Sequence, residues 1–133
     1  MSMEDEHLKP SIGFVGMGYM GSHMAQRLLD AGYQLTVYDR TEEKAQKVGQ
    51  RGALVAQTPR DVGAGCQIVV VSVRDDRVQG EVMFGPDGAL AGVHGGSIVI
   101  DLSTVSPEAS SRLFQAAKEK NVAMIDAAVS GKA

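Results

Sequence analysis

The chain has 133 residues, of which 44% are hydrophobic and 22% charged, a balance typical of one globular domain with a real core. Its net charge of −3 argues against a general nucleic-acid surface, which needs a basic face, and its single cysteine, Cys66, excludes an internal disulfide. Residues 1–9 form a polar tail without a signal or transit pattern, and no apolar run is long enough to cross a membrane, so we expect a soluble, cytoplasmic protein with no nucleic-acid or membrane partner.

The first apolar run leads into a glycine-rich turn. Residues 12–15 form a predicted strand, and Gly16, Gly18 and Gly21 follow as a G-x-G-x-x-G set. Gly16 would make the tight turn, Gly18 would let the backbone approach a pyrophosphate, and Gly21 would let the next helix pack on the strand. These properties predict a dinucleotide site that includes the turn residues, namely Gly16, Met17, Gly18, Tyr19, Met20 and Gly21.

The segment after the glycines has the expected order for such a site. Apolar residues recur at helical spacing from Met20, and Gly32 is a suitable helix stop. A second predicted strand, residues 35–38, ends at Asp39, close to the spacing at which a carboxylate accepts bonds from the adenosine ribose hydroxyls. The simpler alternative is a glycine turn in an unrelated α/β domain.

The rest of the chain alternates between helix-like and apolar runs, which is the pattern of a parallel sheet with crossover helices. Thr41, Thr58 and Ser106 are predicted helix caps, and proline follows the last two. The later predicted strands cover residues 53–56, 67–73, 97–102 and 122–126, and the later predicted helices cover residues 42 to 49 or 52, 59–63, 76–84, 89–93 and 107 to about 121.

These elements predict an α/β fold with a doubly wound parallel sheet of about six strands, a Rossmann fold. The strand order 3-2-1-4-5-6 follows by analogy, and it places the ligand cleft between strands one and four, above residues 16–20 and beside Val73 and Arg74. Residues 74–77 have two interpretations. They are either a solvated helix start capped by Asp75 or Asp76, which we favour, or a turn that touches the cofactor.

Three motifs in succession, GFVGMGYMGSHMA, DLSTVSPEA and DAAVSG, resemble signatures of the β-hydroxyacid dehydrogenase family. That family includes 3-hydroxyisobutyrate dehydrogenase and tartronate semialdehyde reductase, and the resemblance covers about residues 10–131. It implies hydride transfer between a nicotinamide cofactor and a short 3-hydroxy acid or semialdehyde. It also implies a homo-oligomeric full-length protein.

The resemblance assigns roles to several residues. It places Thr104 beside the nicotinamide and predicts substrate contacts for Ser103, Ser130 and Gly131, since hydroxyl and N–H donors suit a carboxylate. For Ser103 the alternative is strand-end turn chemistry, and for Ser106 a simple helix cap is the preferred interpretation.

Two departures from the family pattern limit this interpretation. Lys132 replaces the second glycine of the S-G-G motif, and it is expected to be a solvated lysine near the chain end. The family's catalytic lysine belongs to an all-helical second domain beyond Ala133, so no catalytic residue is predicted here. His7, His23 and His94 are expected to be ordinary surface residues, and the alternative for His23 is a position near the phosphates.

We therefore predict a tail over residues 1–9 and a dinucleotide-binding domain over residues 10–133. By itself this domain is expected to be inactive, whether it is a truncated form or a natural fragment. No metal site is predicted.

The choice between NAD and NADP depends on Asp39, Arg40 and Thr41. A carboxylate at this position favours NAD, because it bonds the ribose 2′-hydroxyl and repels a 2′-phosphate. Arg40 points the other way, since a guanidinium suits a phosphate. NAD is slightly favoured. Two other functions stay open, an imine reductase cofactor domain, against which Ser130 and Gly131 argue, and a dinucleotide-binding module without catalysis.

Overall fold

The computed structural model describes residues 9–127, except for the side chain of Tyr19. Within these residues, six strands and six helices alternate, except that two helices follow one another between the fourth and fifth strands. The strands are β1 (Ile12–Val15), β2 (Leu35–Tyr38), β3 (Leu54–Val55), β4 (Ile68–Val71), β5 (Ile98–Asp101) and β6 (Ala123–Asp126). The helices are α1 (Tyr19–Asp30), α2 (Glu42–Gly49), α3 (Pro59–Gly65), α4 (Asp76–Met83), α5 (Ala89–Gly92) and α6 (Pro107–Glu119).

All six strands are parallel and lie in the order β3-β2-β1-β4-β5-β6, which confirms the predicted doubly wound sheet and its strand order. β1 pairs with β2 on one side and with β4 on the other, so the strand order reverses at β1. Ligands in open α/β sheets bind outside the carboxyl ends of the strands at such a point. The topology therefore directs attention to the residues that follow β1, β2, β4 and β5.

The first two strands have their predicted bounds, whereas the four later strands are shorter than the apolar runs that predicted them. The run over residues 67–73 contributes only Ile68–Val71 to the sheet, and the three valines of that strand are almost fully buried, as a strand covered on both faces requires. Ser72 and Val73 continue past the last paired residue of β4. The apolar pattern records burial rather than pairing, and this is why it extends into residues that form the wall of the cleft.

Local side-chain chemistry starts three of the helices as predicted. The hydroxyls of Thr58 and Ser106 accept bonds from the N–H groups of Asp61 and Ala109, at 3.2 and 3.1 Å. Of the two aspartates considered for α4, Asp75 is the cap, and its carboxylate accepts from the N–H of Val78 at 2.9 Å. Thr41 precedes α2, but its side chain makes no capping bond.

The sheet separates two apolar clusters. The cluster under α1 and α2 includes Phe14, Val37 and Val70, and the cluster on the α4–α6 side includes Val71 and Leu113. Phe14, Val37, Val71 and Leu113 are fully buried. These clusters hold the strands rigidly, so the loops at their carboxyl ends start from fixed positions. Within residues 9–127, none of the helices has the length and apolar character needed to cross a membrane.

Candidate functional site

The turn after β1 has a backbone that only glycine fits at its first position. Gly16 has φ +84°, and a Cβ placed there would lie 2.6 Å from the carbonyl oxygen of Ser72. A Cβ on Gly21 would lie 3.3 Å from the carbonyl oxygen of Gly16, so α1 packs closely against the turn it follows. The structural roles that the sequence predicted for these two glycines agree with this geometry.

Gly18 differs from its two neighbours. A Cβ there would meet the Ser72 carbonyl oxygen and hydroxyl only at 3.6 Å, an ordinary contact. The fold itself therefore tolerates a side chain at Gly18. Gly18 lines the cleft at the N-terminus of α1, so the absence of a side chain there leaves room for a bound group.

The carboxylate of Asp39 joins the end of β2 to the glycine turn. Its Oδ2 accepts a hydrogen bond from the backbone N–H of Met17 at 2.6 Å, and its Oδ1 accepts from the N–H of Thr41 at 2.8 Å. Asp39 is half-buried and lines the cleft. Each carboxylate oxygen has further acceptor capacity, so these bonds orient the carboxylate and leave it able to accept from a ribose hydroxyl.

The N-terminus of α1 favours an anion. No side chain caps Gly18 at this end, and the first turn contains no acidic residue. The first N–H groups of a helix have no partner within it, and the macrodipole adds partial positive charge there. In contrast, α3, α4 and α6 start with side-chain caps at Thr58, Asp75 and Ser106. α2 also lacks a side-chain cap at Thr41, but its first turn contains Glu42 and Glu43, so the N-terminus of α1 is the better site for an anion.

The opposite wall comes from the residues after β4 and β5. The Ser103 hydroxyl accepts from the N–H of Val73 at 3.0 Å, and Thr104 donates its N–H to the carbonyl of Val73 at 3.0 Å. Ser103 is only 3% exposed, whereas Thr104 is exposed and lines the cleft. In this geometry the Ser103 hydroxyl connects two backbone segments. Its predicted substrate contact stays a prediction, and burial favours the strand-end alternative.

A buried polar chain supports that wall from below. Asp101, 1% exposed, accepts from the N–H of Ser103 at 2.9 Å and from the side-chain amide of Gln79 at 3.1 Å. Gln79 is fully buried, and within residues 9–127 its Oε1 has no hydrogen-bond partner. Buried polar groups are costly unless they are hydrogen-bonded, so the unpaired Oε1 of Gln79 lowers the stability of the fold. It couples α4 to the loop that carries Thr104.

These walls flank a cleft that is open to solvent and has a volume of about 1100 Å³. Ten of the predicted cofactor residues line it, and they come from the turn after β1, the end of β2 and the ends of β4 and β5. Gly21 lies beneath the turn, and the side chain of Tyr19 is outside the described structure. The ten are Gly16, Met17, Gly18, Met20, Asp39, Arg40, Thr41, Val73, Arg74 and Thr104.

The arrangement fits a dinucleotide. The open space above Gly18 and the uncapped α1 N-terminus suit a pyrophosphate, and the oriented Asp39 carboxylate suits the adenosine ribose. When bound, a nicotinamide cofactor supplies hydride chemistry, and the chain's own residues hold and orient it. Within residues 9–127, no cluster of three or more histidine, cysteine or acidic side chains is suited to hold a metal ion.

Several lining residues were not predicted from the sequence. Ser72 contacts the glycine turn, and Val78 and Val82 bring apolar side chains from α4. Lys44, Lys47 and Arg51 add positive charge from α2 and the turn that follows it. Their spacing on α2 is visible in the sequence, but nothing there shows that this helix face turns toward the cleft.

Of the three histidines considered in the sequence, His23 lies at the cleft, His94 lies in a loop, and His7 is outside the described part. His94 contacts the carbonyl of Ala64 and the hydroxyl of Ser97, both at 3.3 Å, which is a structural role in a loop. His23 is exposed and lines the cleft. His7, Ser130, Gly131 and Lys132 fall outside residues 9–127, so their predicted roles stay predictions.

Among residues 9–127, the side chains of Asp76 and Cys66 have shifted pKa values, and neither lines the cleft. Hydrogen bonds from the hydroxyl and backbone N–H of Ser106, at 2.6 and 2.8 Å, hold the pKa of Asp76 below its usual range. Burial raises the pKa of the Cys66 thiol, with a partial offset from a bond to Thr36. Ser106 thus caps α6, as predicted, and also joins α6 to the start of α4.

Comparison with known protein sequences supports a dinucleotide site in this cleft. Residues 11–133 match the family model described as the NAD binding domain of 6-phosphogluconate dehydrogenase. An uncharacterized oxidoreductase of Bacillus subtilis, YkwC, is 36% identical over 124 residues, which are 93% of this chain and 43% of that protein. The human cytokine-like nuclear factor N-PAC is 36% identical over 120 residues, covering 90% of this chain and 22% of that protein. The chain thus spans less than half the length of these relatives.

Solved structures of oxidoreductases also contain a part that is similar to this chain. The 3-hydroxyisobutyrate dehydrogenase of Mycobacterium tuberculosis, solved with L-serine, superposes with a TM-score of 0.84 at 25% identity, over 93% of this chain and 42% of that one. Psf3 in complex with NADP+ and 2-OPP gives 0.83 at 30% identity, over 90% and 43%. An imine reductase from Pseudomonas sp. gives 0.74 at 26% identity, over 87% and 40%.

The family match covers the glycine turn, Asp39 and both walls of the cleft, and it confirms the resemblance found in the motifs. The chain belongs to the family of NAD-binding domains typified by that of 6-phosphogluconate dehydrogenase, within a group of oxidoreductases.

Proposed function

We propose that this chain is the cofactor-binding part of an oxidoreductase that transfers hydride between a nicotinamide cofactor and a short 3-hydroxy acid or semialdehyde. The observation that carries the proposal is the Asp39–Met17 bond, because it orients a ribose acceptor beside a glycine turn that is open only above Gly18. Similarity to a 3-hydroxyisobutyrate dehydrogenase supports the substrate class.

Each part of the cleft has its own task in this proposal. The turn and the N-terminus of α1 hold the pyrophosphate with backbone N–H groups. Asp39 holds the adenosine ribose. Val73 and Thr104, fixed by Ser103 and Asp101, form the wall at the nicotinamide end. Ser130 and Gly131 contact the substrate carboxylate, as the motif resemblance implies.

The proton-transfer group is not among the residues assigned here. The motif resemblance assigns it to a lysine of a second, helical domain, and we propose that this chain alone binds the cofactor without turning it over. Mixing the chain with NADH and a small semialdehyde under single-turnover conditions tests this. Binding without oxidation of NADH is expected, whereas stoichiometric oxidation would show that the 133 residues contain a complete catalyst.

An imine reductase is the second candidate, and its support is the likeness to the Pseudomonas enzyme. A non-catalytic binding module is the third, and its support is the sequence likeness to N-PAC, a nuclear factor by name. Assays of a full-length protein with a cyclic imine or a semialdehyde, each run with NADH and with NADPH, separate the three. Oxidation of the reduced cofactor by the semialdehyde but not by the imine supports the leading proposal, and oxidation by the imine supports the second. Binding of the cofactor without its oxidation supports the third.

We also propose that the full-length protein is a homo-oligomer. Ile125 on the edge strand β6 is 51% exposed, and an apolar side chain at an unpaired strand edge favours association. Light scattering of the chain over a concentration series tests this. Growth of the average mass with concentration supports the proposal, whereas a monomer at every concentration counts against β6 as the interface.

A further inference from the structure

Beside the adenosine end of the cleft, an ion pair joins the end of β2 to α4. Arg40 follows β2, and Glu81 lies on α4, which follows β4. β2 and β4 flank β1 on its two sides, so a contact between their following segments passes above the carboxyl end of β1. The Nε of Arg40 lies 3.7 Å from Oε2 of Glu81.

Glu81 is shared between two arginines. Its other oxygen, Oε1, lies 2.7 Å from Nη1 of Arg77, one helical turn earlier on α4. The side chains of Arg40 and Glu81 are about equally exposed, at 48% and 46%. The pair is therefore accessible to a ligand and weak enough to be rearranged by one, as exposed ion pairs are.

The position of Arg40 gives this pair a consequence for cofactor choice. Arg40 lines the cleft and is the next residue after Asp39, whose carboxylate is oriented toward the ribose site. A guanidinium there is the natural partner of a phosphate on the ribose 2′ oxygen. Glu81 supplies a competing carboxylate to that guanidinium and adds negative charge where the phosphate would lie.

We propose that Glu81 is a specificity-determining residue that disfavours a 2′-phosphorylated cofactor by occupying Arg40. This inference rests on the proposed cofactor site and extends it to a residue on α4 that the glycine motif does not contain. NAD has a free 2′-hydroxyl and needs no contact with Arg40, so its affinity should not depend on Glu81. NADP has to displace Glu81 from Arg40 and tolerate its charge.

The test measures the dissociation constants of NAD⁺ and NADP⁺ by calorimetry for the wild type and for Glu81→Gln, which keeps the shape of the side chain. The ratio of the NADP⁺ constant to the NAD⁺ constant is expected to fall by about three- to tenfold, since one charge beside a phosphate is only partly screened. Glu43→Gln is the matched control. It removes the same charge from α2, and its side chain makes no ion pair among the residues that the structure describes.

A double-mutant cycle shows whether the effect passes through Arg40. In an Arg40→Gln background, Glu81→Gln is expected to change the ratio by a clearly smaller factor than in the wild type, because only the direct repulsion between Glu81 and the phosphate remains. Binding of both cofactors with a ratio unchanged by Glu81→Gln would overturn the inference, as would an equal effect from Glu43→Gln. Failure of the folded wild type to bind either cofactor would instead overturn the proposed function, and the inference with it.

Discussion

Oδ2 of Asp39 accepts a hydrogen bond from the backbone N–H of Met17 at 2.6 Å, although the two residues lie in loops after different strands. The same carboxylate holds the N–H of Thr41 through its other oxygen. One side chain thus fixes the glycine turn to the end of β2 and points an acceptor into the cleft. Because both tasks depend on a charged carboxylate, they respond together to substitution.

Asp39→Asn is therefore expected to change stability and specificity at once. An amide has one acceptor oxygen, so one of the two N–H groups loses its partner, at a cost of about 1–2 kcal/mol in the free energy of unfolding. Removal of the charge also lowers the repulsion of a 2′-phosphate, so the NADP/NAD affinity ratio should rise. Denaturation curves and paired titrations measure the two effects, and an unchanged ratio would contradict the assigned ribose role.

Two glycines of the turn, Gly16 and Gly18, are expected to respond differently to alanine. Gly16→Ala forces a side chain into a backbone with φ +84° and against the Ser72 carbonyl, so it should cost about 1–3 kcal/mol from the backbone alone. Gly18→Ala meets only ordinary contacts and should leave the melting temperature nearly unchanged. Thermal denaturation of both variants checks this, and a Gly18→Ala variant that melts as early as Gly16→Ala would contradict the distinction.

Ser103→Ala tests whether its hydroxyl positions the wall at the nicotinamide end. The N–H of Val73 loses its acceptor, so the free energy of unfolding should fall by about 1–3 kcal/mol. Binding of NADH should weaken while binding of ADP, which occupies only the adenosine end, stays the same. Ser110→Ala, a half-buried serine of α6, is the matched control. Equal weakening of NADH and ADP would point to general damage instead.

Asp76 should make stability depend on pH in the acid range. Hydrogen bonds from Ser106 lower the pKa of Asp76 in the folded state, so its contribution is fully present above the unfolded pKa of about 4. The contribution is lost as the pH falls through the lower folded pKa. Denaturant unfolding at a series of pH values should show wild type and Asp76→Asn converging as the pH falls below about 4. Curves that stay parallel would contradict the assignment, and Asp87→Asn, an exposed turn aspartate, is the control.

Prediction from the sequence succeeded where the physical cause is local. The caps at Thr58 and Ser106 and the backbone of Gly16 depend on residues within a turn or two, and the alternation of apolar and helical runs is enough for the strand order by analogy. The contacts that complete the cleft are not local. Met17 with Asp39, Ser103 with Val73, and Arg40 with Glu81 join residues that become neighbours only when parallel strands end at one sheet edge.

Ser103 shows that a sequence motif does not by itself decide which side chain faces a ligand. Its sequence context resembles a substrate-binding motif, but burial at 3% and a bond to the Val73 N–H are properties of the folded strand ends. The exposed residue of the pair is Thr104. A motif indicates that a segment belongs to a site, and the packing decides which side chain of the segment faces the ligand.

The central claim, that the cleft above Gly18 binds a nicotinamide dinucleotide, is tested most directly by titrating NADH into the wild type and Gly18→Ala. The chain has no tryptophan, so the change in NADH fluorescence is read without energy transfer from that residue. Saturable one-to-one binding by the wild type is predicted, with affinity at least about tenfold weaker in an equally stable Gly18→Ala, because its methyl group occupies the pyrophosphate position. Equal binding by the two proteins, or no binding by the folded wild type, would contradict the account.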